Sequence, residues 1–266
     1  MFTSVGVCGT GNMGKAIIKG LVASGLVPAK QIFVYNIHKE KAEAFAAETG
    51  VTVVDTPAEL ADKSQGLIMA VKPNVMPGAL DAVKDHIKAD TVVISIAAGL
   101  TIARLAEHLP AQTKIVRIMP NTPAMVGEGM ASVTPNEFVT AEETDEVVAI
   151  FNSFGKAVVV EERLIDAVCG LSGSGPAYVY MFIEALADGA VQEGLPRSMA
   201  YTFAAQTVLG AAKMVLATGE HPGKLKDDVC SPGGTTIEAV HVLEESGFRA
   251  AAAAAVIASA EKNKRL

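Results

Sequence analysis

Only three cysteines occur in 266 residues, Cys8, Cys169 and Cys230, and no two stand in a Cys-x-x-Cys spacing. So sparse and odd a set excludes a disulfide framework and a thiolate metal knuckle; the thiols are expected to be buried and reduced, in a cytoplasmic protein with no metal site. No apolar run reaches about 18 residues before Gly, Pro or a charge breaks it, and the chain enters its first strand near Val5 without a basic leader, which argues against a membrane span and an export signal. Long Lys/Arg runs are absent and the net charge is -7, so neither nucleic acid nor an anionic membrane is an expected partner. A phosphate-bearing ligand would have to be held by local dipoles. What is present, 50% hydrophobic and 19% charged residues, describes a globule long enough for two domains.

Up to about Glu161, β-branched runs alternate with helical patterns: Val5 to Cys8, Ile32 to Tyr35, Val51 to Val54, Leu67 to Val71, Val92 to Ile96, Ile115 to Ile118 and Val158 to Val160. That rhythm predicts βαβ units around a mostly parallel sheet. Beyond Arg163 the texture becomes Ala-, Leu- and Met-rich, with helices expected over 176–193, 197–218, 235–245 and 250–262 and no further strand. The fold class is therefore α/β, residues 1–161 forming a sheet domain and 162–266 an all-helical one. Helices this rich in small and apolar residues carry apolar surface on more than one face, which about 100 residues cannot hide alone. A homodimer or higher homo-oligomer is expected rather than a self-contained monomeric bundle.

Gly9-Thr10-Gly11-Asn12-Met13-Gly14 follows the first strand directly and opens the helical run Ala16 to Ala23. In that context it is a dinucleotide fingerprint of the Rossmann-like kind: the first Gly makes the tight turn, the second lets a pyrophosphate approach backbone, and the third lets helix and strand pack closely. The second strand ends Tyr35-Asn36-Ile37-His38-Lys39, with no carboxylate before Glu40 to hold a ribose 2′-hydroxyl. Asn36, His38 and Lys39 favour a 2′-phosphate instead, and hence NADPH, with NADH left open because no Arg stands there. Ala70-Val71-Lys72-Pro73, Ala97-Ala98-Gly99 and Met119 to Pro123 end three more strands on the edge where the ligand crevice of such a sheet lies. Asn121 is a candidate polar contact near the reacting centre.

Ser231-Pro232-Gly233-Gly234-Thr235-Thr236 opens a helix with glycines and hydroxyls. The first N–H groups of a helix lack internal partners and carry partial positive charge, so residues 233 to 236 can cradle a small carboxylate, with Ser231 and Thr236 hydrogen-bonding the bound molecule. The same opening would also serve as a plain helix cap. A nicotinamide cofactor implies hydride transfer, and the chain has neither a Tyr-x-x-x-Lys pair nor a His-Asp relay to protonate a carbonyl oxygen. An imine needs no such acid, because its nitrogen is protonated near neutral pH, and positioning then supplies most of the catalysis.

These segments together resemble the pyrroline-5-carboxylate reductase family. The resemblance rests on the glycine fingerprint, Ala70 to Pro73, Ala97 to Gly99, Met119 to Pro123, Leu171 to Tyr178, Glu184 to Gly189, Gly194 to Arg197 and, most specifically, His221 through Thr236. It implies an N-terminal NADPH-binding domain, a helical domain that dimerises, and a cyclic imino acid bound at the subunit interface. It further implies that Gly234, Thr235 and Thr236 hold the substrate's carboxylate and ring nitrogen, Thr236 lying nearest the imine and Ser231 supporting the loop. Two rivals remain. A β-hydroxyacid dehydrogenase would carry a helical Lys followed four residues later by Asn, whereas Lys213 is followed by Ala217. A dinucleotide-binding sensor without turnover would not need the hydroxyls at 231 to 236.

Overall fold

In the computed structural model, which describes residues 1–265, the β-branched runs become strands and the intervening patterns become helices. In order these are β1 (Val5–Cys8), α1 (Asn12–Ser24), β2 (Ile32–Tyr35), α2 (Lys39–Thr49), β3 (Thr52–Val53), α3 (Pro57–Lys63) and β4 (Gly66–Met69). Then come α4 (Met76–Asp81), β5 (Val92–Ser95), α5 (Ile102–Ala106), β6 (Lys114–Met119), β7 (Gly129–Pro135), α6 (Ala141–Asn152) and β8 (Gly155–Val159). The eight strands form one sheet in the order β3-β2-β1-β4-β5-β6-β7-β8. All neighbours are parallel except β6 and β7, so the last two strands run opposite to the first six. Strand β7 has no counterpart in the sequence reading: Gly-Met-Ala-Ser begins it, a stretch poor in β-branched residues, and pairing with β6 rather than intrinsic preference makes it a strand.

Alternate residues of the central strands supply two apolar clusters, one on each face. Val5 and Val7, Ile68, Val92 and Ile94 pack with Ile17, Ile18 and Leu21 of α1 and with Phe151 of α6. Leu67, Met69 and Val93 pack with Leu60 of α3 and Leu80 of α4. Burial on both faces is what a parallel sheet between helices requires, and each such side chain contributes about 1.5–3 kcal/mol. Helix α1 lies close to the rest of its layer at Gly20, where an added Cβ would stand 2.3 Å from the Phe154 ring. Threonines stop three helices from fraying: Thr56, Thr101 and Thr140 accept from the third N–H of α3, α5 and α6, and Glu143 completes a capping box at Thr140.

After β8 the chain continues through α7 (Ile165–Val168), a π-helical turn at Cys169–Gly173, α8 (Gly175–Gln192), α9 (Arg197–Thr218), α10 (Pro222–Val229), α11 (Thr235–Glu245) and α12 (Phe248–Asn263). Helix α10 is an addition to the expected set. It begins at Pro222, and the preceding His221 caps it by accepting from Gly223 N through Nδ1 at 3.0 Å. By compactness the chain divides into residues 1–174 together with the end from Ser259, and Gly175–Ala258. Residues 162–174 belong to the sheet unit through specific bonds. Arg117 of β6, 5% exposed, donates to Glu162 Oε1 at 2.9 Å, and the same oxygen accepts from Ile102 N at 2.7 Å. Cys169 Sγ and Asp166 Oδ1 both bond the Asn263 amide, at 3.4 and 2.7 Å. In the helical unit, α8 and α9 meet along a seam of Ala187, Ala200 and Ala204, and Phe182 meets Phe248 with ring centroids 5.6 Å apart.

The three cysteines are unpaired. Burial at the end of β1 pushes the Cys8 thiol up to about 11. Its folded-state value lies above the unfolded one, so the unfolded chain loses this proton first and folding stability falls as pH rises from about 9 to 11. Urea midpoints measured across that range are expected to fall more steeply for the wild type than for Cys8→Ala; parallel curves would show that the thiol is not sequestered.

Candidate active site

The strand order reverses at β1, which has β2 on one side and β4 on the other, and the carboxyl ends of β1 and β4 flank the crevice this creates. Gly9 turns the chain there with φ +105°, and an added Cβ would lie 2.6 Å from the Ala70 carbonyl oxygen. Its N–H donates to Tyr35 O at 2.8 Å while Ala70 N donates to Cys8 O at 2.8 Å, tying three strand ends together. A Cβ on Gly14 would stand 2.2 Å from the Gly9 carbonyl oxygen, so the third glycine permits α1 to start this close to the turn. Gly11 is different, because an added Cβ there meets no atom within 4 Å. The space ahead of α1 is open, and Gly11 caps the helix with no side-chain hydrogen bond, so the helix opening around Asn12 and Met13 has no side-chain partner.

A cleft of about 300 Å³ adjoins this turn, lined by Gly9, Tyr35, Ile37, Pro57, Val71 and Val75 among others. Ile37 and Val75 are 82% and 50% exposed, large apolar side chains lining the cleft. Neither was expected, and Pro57 was left out of the sequence-derived site; the available signal was an isoleucine standing in a loop that turn chemistry would fill with a polar residue. Val71, Lys72 and Pro73 follow β4, and Lys72 O accepts from Val75 N at 2.9 Å, which turns the chain towards α4. Ala97 and Ala98 follow β5, with Ala97 N bonded to Ser95 Oγ at 3.4 Å and Gly99 turning at φ +77°.

The polar residues expected to meet a 2′-phosphate are committed unequally. Asn36 donates from Nδ2 to buried Thr10 Oγ1 and accepts at Oδ1 from His38 N at 3.1 Å, so its amide braces the loop. Lys39 lies 2.6 Å from Asp55 Oδ1, whose hydrogen bond and charge raise the ammonium above its usual value. His38 is exposed, 3.8 Å from Glu40. Asn121, at the carboxyl end of β6, is 9% exposed and bonded at both ends of its amide, to Ser172 O at 3.0 Å and from Met130 N at 2.8 Å.

Residues 231–236 lie in the helical unit. Gly234 N donates to Ser231 O at 3.0 Å with Pro232 and Gly233 between them, and Gly233 has φ +67°, the arrangement of a type II turn. Gly234 then caps α11 in an extended conformation with no side-chain bond. An added Cβ on Gly234 would lie 2.3 Å from Ser231 Oγ, so the glycine leaves room for the serine to fold beneath the turn. Thr235 and Thr236 are exposed at the first turn of α11. Where α3, α5 and α6 spend a threonine on their own N–H groups, α1 and α11 present theirs outward. Among the described residues no group of three His, Cys, Asp or Glu side chains could hold a metal ion, and no helix is long and apolar enough to cross a membrane.

Residues 162–266 match the family model for pyrroline-5-carboxylate reductase dimerisation, and residues 4–99 match that for NADP oxidoreductase, coenzyme F420-dependent. The pyrroline-5-carboxylate reductase of Escherichia coli (strain K12) is 53% identical over 266 residues, 100% of this chain and 99% of that protein. The chain belongs to the pyrroline-5-carboxylate reductase family. The β-hydroxyacid dehydrogenase alternative is thereby set aside. Two solved structures of the family agree in fold: that from Coxiella burnetii superposes with a TM-score of 0.94 at 34% identity, covering 99% of this chain and 98% of that one. The Plasmodium falciparum pyrroline carboxylate reductase, solved with NADP bound, gives 0.87 at 34% identity, covering 99% and 97%.

The glycines of the first helix opening separate two roles. Gly11→Val is expected to keep the melting temperature within about 2 °C of wild type while abolishing dinucleotide binding in a fluorescence titration, because its side chain enters only ligand space. Gly14→Ala is expected to lower both. Retained binding in Gly11→Val would mean that the opening of α1 is not where the pyrophosphate sits.

Proposed function

We propose that this chain reduces the cyclic imine 1-pyrroline-5-carboxylate to L-proline, the last step of proline biosynthesis, with NADPH as donor and NADH as a poorer one. The observation that carries this reading is the pair of glycine-capped helix openings, α1 for a pyrophosphate and α11 for a carboxylate, in a chain 53% identical to a pyrroline-5-carboxylate reductase over its whole length. The residues fit a nicotinamide dinucleotide: the space at Gly11 is open to an approaching phosphate, and Ile37, Pro57 and Val75 line an apolar cleft beside it. When bound, the cofactor supplies a hydride to the imine carbon.

The chain's own contribution is positional. In this reading residues 1–161 hold the cofactor: Gly9 to Gly14 the pyrophosphate, Lys39 and His38 the 2′-phosphate, with Asn36 bracing their loop, and Ala70 to Pro73 with Ala97 and Ala98 the nicotinamide side of the crevice. Residues 162–266 hold the substrate. Backbone N–H groups from Gly233 to Thr236 bind its carboxylate, the Thr236 hydroxyl bonds the ring nitrogen, and Ser231 keeps the turn in shape. Because the protonated imine is already electrophilic, fixing its carbon and excluding water supply the rate without an acid of tuned pKa. The apolar side chains that the helical unit leaves exposed, Met181, Phe203, Leu216 and Ile257 among them at 59–76%, are the surface of a homodimer, with the substrate site at the subunit interface. Unpaired thiols suit the cytoplasm.

The test is loss of NADPH absorbance with pyrroline-5-carboxylate, run beside NADH and a no-substrate control; absence of imine-dependent oxidation despite tight NADPH binding would leave the sensor alternative. Thr236→Ala is expected to lower kcat/KM about ten- to hundredfold with NADPH affinity unchanged, since a hydrogen bond to a charged group is lost at the substrate alone. Asp55→Asn is expected to favour NADPH over NADH by a further two- to fivefold, roughly the strength of an exposed ion pair, because Lys39 is released from a competing carboxylate; an unchanged ratio of dissociation constants would take Lys39 out of the 2′-phosphate site.

A further inference from the structure

The turn that enters α8 has a defect that its own sequence creates. In an α-helix the carbonyl of Ser172 would accept from the N–H four residues on, but that residue is Pro176, which has none. The backbone responds by widening: Cys169–Gly173 is π-helical, and Ser174 N donates to Cys169 O at 2.9 Å, a span of five residues. A carbonyl in this half-buried position still needs a donor. Asn121 supplies it, its Nδ2 lying 3.0 Å from Ser172 O, while its Oδ1 accepts from Met130 N at the start of β7. The two partners, one carbonyl and one N–H, dictate this orientation of the amide. The approach is close along the whole contact, since an added Cβ on Gly173 would lie 2.7 Å from Cε of Met119, the last residue of β6.

We infer that Asn121 is a positioning residue rather than a substrate contact: its amide stands in for the N–H that Pro176 lacks and locks the Ser172–Ser174 turn to the carboxyl end of β6. That edge of the sheet carries the cofactor crevice, and the turn is the root of α8, the first long helix of the region assigned above to substrate; the inference rests on that assignment. A buried side chain with both ends committed has little left to offer a ligand, and its energetic value depends on the proline. Replacing Pro176 by Ala gives Ser172 O an internal donor and makes the Asn121 amide dispensable. A residue that touched substrate directly would gain nothing from that replacement.

The experiment is a double-mutant cycle of Asn121→Ala and Pro176→Ala, read both as melting temperature and as kcat and KM for pyrroline-5-carboxylate. Asn121→Ala alone is expected to lower kcat on the order of fivefold to thirtyfold and to lower the melting temperature, and both losses are expected to shrink severalfold in the Pro176→Ala background. Asn121→Asp keeps the acceptor for Met130 N and donates to Ser172 O only when protonated, so its deficit relative to wild type is expected to narrow as pH is lowered. It also serves as the second variant if the alanine chain does not fold. Additive effects, or a rise in KM with kcat unchanged and no relief from Pro176→Ala, would overturn the inference in favour of direct contact. Coupling in melting temperature without coupling in kcat would overturn it too, leaving a bond that serves the fold alone. Failure of the wild type to turn over this imine would refute the proposed function by itself, while the cycle in melting temperature would still report the Asn121–Pro176 coupling.

Discussion

Everything at the cofactor crevice depends on one steric constraint: at Gly9 the backbone passes so near the Ala70 carbonyl that no Cβ fits between them. That proximity joins the ends of β1 and β4 where the strand order reverses, and it sets the starting point of α1 one turn later. Gly14 repeats the constraint from the helix side, against the Gly9 carbonyl itself. With both positions closed to side chains, the turn leaves open space ahead of Gly11 at the start of α1, beside the cleft that Gly9 helps to line. The crevice is thus made by exclusion. No charged residue lines the cleft beside the turn, so what the turn itself offers an anion is the dipole of α1.

The helical unit solves the same problem with other materials. A type II turn, Pro232 at its second position and Gly233 at its third, delivers Gly234 to the start of α11 with its cap unfilled. The caps of α3, α5 and α6 are instead filled by threonine, a choice more stable than glycine by about a few tenths of a kcal/mol. Glycine at positions 11 and 234 gives up that small gain and leaves the first N–H groups of α1 and α11 without a side-chain partner. The alanine seam between α8 and α9 brings the helix backbones close but buries little large apolar surface of its own, so much of the unit's apolar surface stays exposed.

Much of this architecture could be read before any coordinates. β1, β2, α9 and α11 have the expected bounds, because β-branched runs flanked by turn residues and long Ala-rich stretches are locally unambiguous. β7 could not be read, since Gly129 to Ser132 have no strand preference and are recruited by pairing with β6. Helix α10 was missed because its cap is a histidine followed by proline, outside the usual Ser, Thr, Asp and Asn set. The glycine fingerprint and the 231–236 turn were visible because backbone geometry demands those residue types. By contrast, the engagement of Asn36 with Thr10, of Lys39 with Asp55 and of Asn121 with Ser172 links residues 16 to 51 positions apart. Amide and ammonium groups satisfy whatever the tertiary fold brings near, and their sequence neighbours carry no sign of it.

If the open cap of α11 is a carboxylate site, the substrate's carboxylate must matter more than its ring. The direct measurement is the rate of NADPH oxidation with pyrroline-5-carboxylate set against the same five-membered imine lacking the carboxylate. The account expects kcat/KM to drop by two orders of magnitude or more without the carboxylate, on the order of the 3 kcal/mol that hydrogen bonds to a charged group contribute. Equal rates for the two imines would contradict it, and would leave the Gly234 opening as a helix cap without a ligand.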